Sequence, residues 1–158
     1  MKITEHRELH LFSLLSKRSD FFPEDLVNEL GTIKGVLEKL GCSIYSIITV
    51  TYGEKTNREG KKLVDGEVLI ELEDGKIPEI LPKEYIIKHE LHLVNALCCE
   101  YEGTPHVLPH IYQNLAAYIG ERKLQPITAV YTLSKQPYNQ SKDTVHVQIY
   151  VGINPNVV

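Results

Sequence analysis

Two amphipathic helical segments, each followed by two segments of strand-type sequence, constrain the fold of this chain most strongly. In the first helix, apolar residues recur at spacings of four and three residues, which places them on one stripe of a 3.6-residue repeat. These residues are Leu26, Leu30, Ile33, Leu37 and Leu40. Pro23 suits the first turn, and Gly41 is typical of the residue that ends a helix. The pattern predicts a helix that packs by one face.

The segments around this helix predict strands. Residues 9–17 are rich in apolar residues, and residues 42–52 are dense in β-branched and aromatic residues. Residues 66–72 also predict a strand, in which the acidic residues fall at odd-numbered positions and therefore on one face. The polar, glycine-bounded stretch before them predicts a hairpin. Two prolines in residues 75–83 exclude a central strand and indicate a linker.

The second half repeats this order. Residues 85–100 are interpreted as a strand, and Pro105 then marks the start of a helix. The buried stripe of that helix is predicted to be Ile111, Leu115, Tyr118 and Ile119. Strands are predicted at 127–133 and 144–153, separated by the turn-rich residues 135–143.

The repeated order predicts a duplicated β-α-β-β unit within one α+β domain over residues 1–158. The pseudo-repeats would cover about 8–75 and 83–154. An antiparallel sheet with both helices packed on one face would bury the two helical stripes. The opposite face of the sheet would then meet solvent or hold a ligand.

Composition limits the classes of partner. Seventeen Lys and Arg residues against 21 Asp and Glu residues give a formal charge of −4, which offers no general attraction to nucleic acid or anionic lipid. The residues before the first helix are too few for a helix-turn-helix, so direct binding to nucleic acid is not expected. Three cysteines and no signal or membrane segment indicate a cytoplasmic protein that binds no membrane.

Alternation along the strands predicts which residues face away from the core. In 145–151, valine and isoleucine at the odd positions should face the core, which leaves His146, Gln148 and Tyr150 on the other face. In 67–72 the same rule places Glu67 and Glu71 opposite the core. With nine tyrosines and no tryptophan, tyrosine is the main aromatic group available to a ligand.

A known family shares several of these features. They are a corner with Tyr101 and Gly103, a helix with Tyr112 and Leu115 on its stripe, and an end strand that reads HVQIYVGI. In this joint order, residues 98–153 resemble the second half of gyrase-inhibitor-like domains, which also serve as effector-binding domains of multidrug-responsive transcription regulators. The resemblance implies a cleft between the pseudo-repeats that accepts amphipathic, often cationic or aromatic, small molecules.

The sequence departs from this family at one important position. A glutamate on the final strand supplies the negative charge in the family, and its place falls on His146. A neutral imidazole brings no negative charge, so Glu67 or Glu71 would have to supply it. Hydrolytic members of the family need a placed carboxylate and tyrosine, and the same substitution weakens an enzyme interpretation.

Histidine and cysteine residues offer alternative sites. His106 and His110 are four residues apart, as zinc ligands on a helix can be, but Pro109 makes that geometry doubtful. The HELH motif at His89 and His92 lacks the spacing of a zinc peptidase, so we expect solvated or structural histidines and no metal. Adjacent cysteines in a strand face opposite sides, which predicts that Cys98 and Cys99 are small buried hydrophobic residues.

The sequence therefore predicts a stand-alone protein that binds a small molecule and needs no cofactor. The predicted ligand-binding residues are Glu67, Glu71, Tyr131, His146, Gln148 and Tyr150. The alternative is an interaction or accessory module that binds a protein partner, or a second copy in a homodimer, through its open sheet face. A small hydrolase that uses the same cleft is the weakest of the three hypotheses.

Overall fold

The computed structural model describes residues 1–135 and 144–157, which form six strands and two α-helices in an α+β fold. The strands are β1 (Lys2–Phe21), β2 (Ile44–Thr56), β3 (Lys62–Leu72), β4 (Ile86–Gly103), β5 (Pro126–Lys135) and β6 (Val145–Ile153). The helices are α1 (Leu26–Lys39) and α2 (Leu108–Glu121), and each follows a short 3-10 turn. Beyond Lys135, the turn predicted over 135–143 lies outside the described residues.

The chain divides into two compact units. The N-half unit is Leu11–Leu91, and the C-half unit is Met1–His10 together with His92–Val158. Both boundaries fall inside strands, in β1 and in β4. Within the described residues, no helix is long and apolar enough to span a bilayer.

In the N-half unit, β3 is the middle of three antiparallel strands, with β1 on one side and β2 on the other. Val68 and Ile70 of β3 pack against Ile33 and Leu37 of α1. Full burial of such a side chain contributes about 1.5–3 kcal/mol, so this contact layer stabilises the helix against the sheet. The predicted core face of β3 and the centre of the helical stripe are confirmed.

In the C-half unit, β6 is the middle strand and pairs antiparallel with β4 and β5. Its residues Val147 and Ile149 pack against Ile111 and Leu115 of α2. The alternation predicted for 145–151 is therefore confirmed on the core side, as is the strand predicted over 85–100.

Several predicted boundaries were wrong. The first strand was predicted over 9–17 but runs from Lys2 to Phe21. The prediction was too short because residues 2–8 are mostly charged or polar and lack an apolar pattern. Ile3 nevertheless packs on the C-half core. The hairpin strands also run further, to Thr56 and from Lys62, where exposed polar residues at the end of β2 pair with Val64, Leu63 and Lys62 of β3. Leu40 was placed on the buried stripe, yet it is 39% exposed because α1 ends one residue earlier.

The proline-containing segment 75–83 is irregular after a 3-10 turn that ends at Gly75, as predicted. It is nevertheless part of the N-half unit, where Ile77 and Leu81 pack against the hydrophobic core. These contacts hold the segment on the unit whose middle strand carries the acidic residues.

Candidate functional site

The face of β3 away from α1 carries a buried carboxylate. Because side chains alternate along a strand, Val68 and Ile70 point to the helix and Glu67, Leu69 and Glu71 share the other face. That face is not solvated at its centre: Leu69 is fully buried and Glu67 is only 3% exposed. A buried charge is costly unless it is paired and hydrogen-bonded, so the surroundings of Glu67 must compensate it.

Three strands supply the compensating groups. Ser16 of β1 donates a hydrogen bond to Oε2 of Glu67, and the Tyr52 hydroxyl of β2 donates to Oε1. The Lys88 ammonium of β4 lies 2.8 Å from Oε2. Both carboxylate oxygens are thus occupied, and we call the set of Glu67, Ser16, Tyr52 and Lys88 the Glu67 cluster.

A bulge in β2 positions the tyrosine. The register of β2 against β3 shifts between Thr51 and Gly53, so Tyr52 has no directly opposite residue on β3. Such an extra residue re-aims a side chain, and here the phenol reaches Glu67. The Arg18 guanidinium lies 3.9 Å from the centre of the Tyr52 ring and also binds Asp65, with contacts of 3.1 and 2.9 Å. This cation–π contact stabilises the orientation of the ring.

The cluster keeps Glu67 ionised. Burial alone would raise the pKa of the Glu67 carboxyl, but hydrogen bonds from Lys88, Ser16 and Tyr52 and the charge of Lys88 hold that pKa below its ordinary value of 4.5. Glu67 is therefore ionised at neutral pH, and its negative charge is paired with the Lys88 ammonium.

Glu71 occupies a second, separate position on the same face. The Ser46 hydroxyl, itself buried, donates to Oε1 of Glu71 at 2.8 Å, and the two residues are directly opposite on β2 and β3. Glu71 is only half-buried. Both acidic residues predicted from the sequence therefore lie in the N-half unit, and Glu67 is the more deeply buried.

The other predicted ligand-binding residues lie in the C-half unit. Tyr131 and Tyr150 are directly opposite on β5 and β6, and the Tyr150 hydroxyl donates to Oε1 of Gln148 at 3.2 Å. Gln148 in turn donates to Oε1 of Glu100 at 3.4 Å. The structure thus brings together Tyr131, Gln148 and Tyr150, whereas His146 is exposed near the start of β6.

Tyr150 is the buried member of this face, with 4% exposure. Burial, reinforced by the neighbouring Cys98, raises the pKa of Tyr150 from 10 to about 12. Burial also raises the pKa of the Cys98 and Cys99 thiols. A raised thiol pKa opposes thiolate formation, which agrees with the interpretation of both cysteines as buried small hydrophobic residues.

The histidines of the metal hypothesis are exposed at all four positions, 89, 92, 106 and 110. His92 lies 2.8 Å from Oε2 of Glu8 and stacks on His10 with ring centres 3.7 Å apart. Within residues 1–135 and 144–157, no three His, Cys, Asp or Glu side chains are grouped as a metal site requires.

Sequence reasoning found Glu67 but missed its three partners. Lys88 and Ser16 fell inside predicted strands without any charge or motif to mark them, and Tyr52 was one of nine tyrosines. The available signal was weak: a lysine in an otherwise strand-type segment is unremarkable until the strand pairing is known.

Solved structures with the same fold include proteins of several kinds. EcmrR, in a complex with DNA, superimposes with a TM-score of 0.71 and 13% identity over 96% of this chain and 56% of EcmrR, so this chain spans little more than half the length of EcmrR. The hydrolase encoded by lin2189 from Listeria innocua gives a TM-score of 0.58 and 9% identity over 97% of this chain and 91% of the hydrolase. SAV2435, bound to tetraphenylphosphonium, gives a TM-score of 0.52 and 10% identity over 96% of this chain and 95% of SAV2435.

At these identities the likeness establishes a shared fold, which agrees at a coarse level with the gyrase-inhibitor-like resemblance of the sequence. No protein-family model and no curated protein sequence matches the chain.

Proposed function

We propose that this protein binds small amphipathic molecules, preferably aromatic organic cations, with Glu67 as the anionic group. The observation that carries this proposal is the Glu67 cluster: a carboxylate with 3% exposure whose pKa is lowered and which therefore stays negative. A negative charge in a desolvated position attracts a cation more strongly than one in water.

The fold supports the same class of ligand. SAV2435, which has this fold, binds tetraphenylphosphonium, a lipophilic cation with four aromatic rings. In this proposal the anionic group is Glu67 of β3, and no negative charge is required at the position of His146 on β6. A buried carboxylate also favours a ligand site over the protein-interaction alternative, because a surface that binds a protein partner is expected to expose an apolar patch.

The remaining predicted residues are candidate positions of secondary importance. Glu71 and Tyr131 are half-buried, and Gln148 is held between Tyr150 and Glu100. We infer that Glu71, on the same face of β3, affects the orientation of the ligand, whereas Glu67 supplies the charge. Tyr131 and Gln148 are separate candidate positions of the C-half unit. His146, being exposed, should matter least of the set.

Titration calorimetry with tetraphenylphosphonium at pH 7 tests the proposal. The wild-type protein should bind, and Glu67→Gln should weaken binding about tenfold or more, because a charge-assisted contact is lost while the size of the side chain is kept. Glu54→Gln is the matched control, since Glu54 is an exposed glutamate of the same unit, with 60% side-chain exposure. The proposal would be contradicted if the wild-type protein did not bind tetraphenylphosphonium, or if Glu67→Gln bound it with the same affinity as Glu54→Gln.

Hydrolysis in the same site is a second candidate, favoured by the contact of the Tyr52 hydroxyl with Glu67 and by the fold shared with Listeria innocua hydrolases. A general base is most effective when its pKa lies near the working pH, and the pKa of Glu67 is lowered instead. Binding is therefore the better supported function. Turnover of p-nitrophenyl acetate that both Glu67→Gln and Tyr52→Phe abolish would reverse this ranking.

A further inference from the structure

The buried carboxylate of Glu67 is already neutralised by a cation of the chain itself. The Lys88 Nζ atom lies 2.8 Å from Oε2 of Glu67, yet the Lys88 side chain is 37% exposed. Its neighbours on β4, Ile87 and His89, are exposed as well. Lys88 thus reaches a buried anion from a position that is open to water.

The three donors to Glu67 differ in how easily they can leave. Ser16 is fully buried on a short side chain, and the Tyr52 ring is held by Arg18. Lys88 has a flexible four-carbon stem, and its compact ammonium group is strongly solvated once it returns to water. Of the three, Lys88 is the donor that can be exchanged for another cation at least cost.

We propose that Lys88 is an internal competitor for the cation site on Glu67 and determines which ligands the protein accepts. This inference rests on the proposed function, because it assigns a specificity-determining residue to the same site. A ligand must displace the Lys88 ammonium from Oε2 before its own charge can take that place.

The consequence is a threshold on ligand chemistry. When only a fraction of the protein is competent to bind, the apparent affinity falls by that fraction, and a minor state is commonly about 0.1–10% populated. Displacement of Lys88 should therefore weaken cation binding about 10- to 1,000-fold relative to a site without it. Small cations gain nothing that Lys88 does not already provide, whereas a bulky aromatic cation also gains contact with the Tyr52 ring, which is 36% exposed beside Glu67. The site then selects aromatic cations over simple ammonium ions.

The experiment compares tetraphenylphosphonium binding by wild-type protein and by Lys88→Met, using titration calorimetry at pH 7. Lys88→Met should bind about 10- to 1,000-fold more tightly. Lys88→Gln, which keeps a hydrogen-bond donor for Glu67 but removes the charge, should also bind more tightly, and it preserves the comparison if Lys88→Met does not fold. Lys62→Met is the matched control, because Lys62 also lies 2.8 Å from a glutamate but in an exposed pair. Its affinity should equal that of the wild type.

A neutral probe separates charge competition from a change in shape. Triphenylphosphine oxide has no net charge, so its affinity should be the same in wild type and Lys88→Met. Equal or weaker binding of tetraphenylphosphonium by Lys88→Met and Lys88→Gln, with wild-type binding intact, would overturn the role of Lys88 and leave the proposed function standing. If neither the wild type nor any Lys88 variant binds, the proposed function itself fails. A gain in affinity of equal size for the neutral probe would also count against competition by charge.

Discussion

The middle strands of the two units, β3 and β6, have the same packing but different polar chemistry. Each presents one face to its own helix, and each has a buried residue on the opposite face: Glu67 on β3 and Tyr150 on β6. Ser16, Tyr52 and Lys88 surround the glutamate, whereas the tyrosine donates to Gln148. The duplicated architecture therefore carries an ionised group in one half and a neutral phenol in the other.

Burial acts on the two groups in the same direction, yet the outcomes are opposite. It favours the neutral form of both, and the pKa of Tyr150 accordingly rises to about 12. At Glu67 the neighbouring lysine and hydroxyl groups outweigh burial, and the pKa falls below its ordinary value. The comparison shows that strand position alone does not make an anionic site, because the hydrogen-bonding and charged partners on adjacent strands decide whether a buried acidic group is ionised at neutral pH.

The largest expected effect comes from placing a carboxylate in β6 without such partners. Tyr150→Glu should lower the free energy of unfolding by about 3–5 kcal/mol at pH 7, because the charge would be buried without a prepared cation. Urea denaturation measures the loss. Tyr150→Gln has nearly the same size without the charge and should lose less, and the gap between the two variants should shrink as the pH falls and the new carboxyl becomes protonated.

Arg7 is the cation that could compensate the new carboxylate in Tyr150→Glu and so contradict that prediction. Its guanidinium lies 4.0 Å from Glu100 in the C-half unit and contributes to the electrostatics of Tyr150. If Tyr150→Glu were as stable as Tyr150→Gln, Arg7 would have moved to the new carboxylate. The two strands would then be equally able to hold an anion, contrary to the comparison above.

A smaller effect is expected when the N-half site loses its cation. Lys88→Met should destabilise the protein by about 1–3 kcal/mol at pH 7, because Glu67 would keep only its two hydroxyl donors. In a Glu67→Gln background the same change should cost less than about 0.5 kcal/mol, and a double-mutant cycle from urea denaturation gives the difference as the coupling energy.

The exposed pair of Lys62 and Glu54 is the control for that cycle. Its side chains are 58% and 60% exposed, so Lys62→Met should change stability by less than about 0.5 kcal/mol.

The coupling energy between Lys88 and Glu67 should also depend on pH. Because folding lowers the pKa of Glu67, the stabilisation by its carboxylate is present above the ordinary value of 4.5 and is lost as the pH falls through the folded-state pKa. A coupling energy near zero at pH 7 would mean that Lys88 and Glu67 contribute independently.

The sequence was sufficient to assign the faces of both middle strands. A period of two residues places Val68 and Ile70 on the core face of β3, and once that face is fixed Glu67 must lie on the other. The same reasoning correctly separated Val147 from Tyr150 on β6. These assignments depend on local alternation and on a core that has to be apolar, both of which are visible in one sequence.

The partners of Glu67 were not predictable in this way. Ser16 lies beside β3 because of the register of β1, in which Ser16 is opposite Leu69, and that register is set by tertiary pairing rather than by local pattern. Tyr52 lies in the bulge of β2, where side chains no longer alternate regularly between the two faces of the sheet. Lys88 reaches the site through the length of its side chain. Long-range pairing therefore determined the chemistry that local patterns left open.

The smallest expected effect is a loss of stability at alkaline pH that comes from ionisation of the Tyr150 phenol on β6. Because the pKa of Tyr150 is raised by folding from 10 to about 12, its contribution to stability is complete below pH 10 and is lost as the pH rises towards 12. Between these limits the wild type should lose about 1–2 kcal/mol more than Tyr150→Phe, which has no phenol to ionise. Urea denaturation at pH 9, 10 and 11 measures the difference, and Tyr45→Phe, at a position 44% exposed, should follow the wild type. Parallel curves for wild type and Tyr150→Phe would mean that the phenol ionises as readily in the folded as in the unfolded chain, and β6 would then tolerate a negative charge as β3 does.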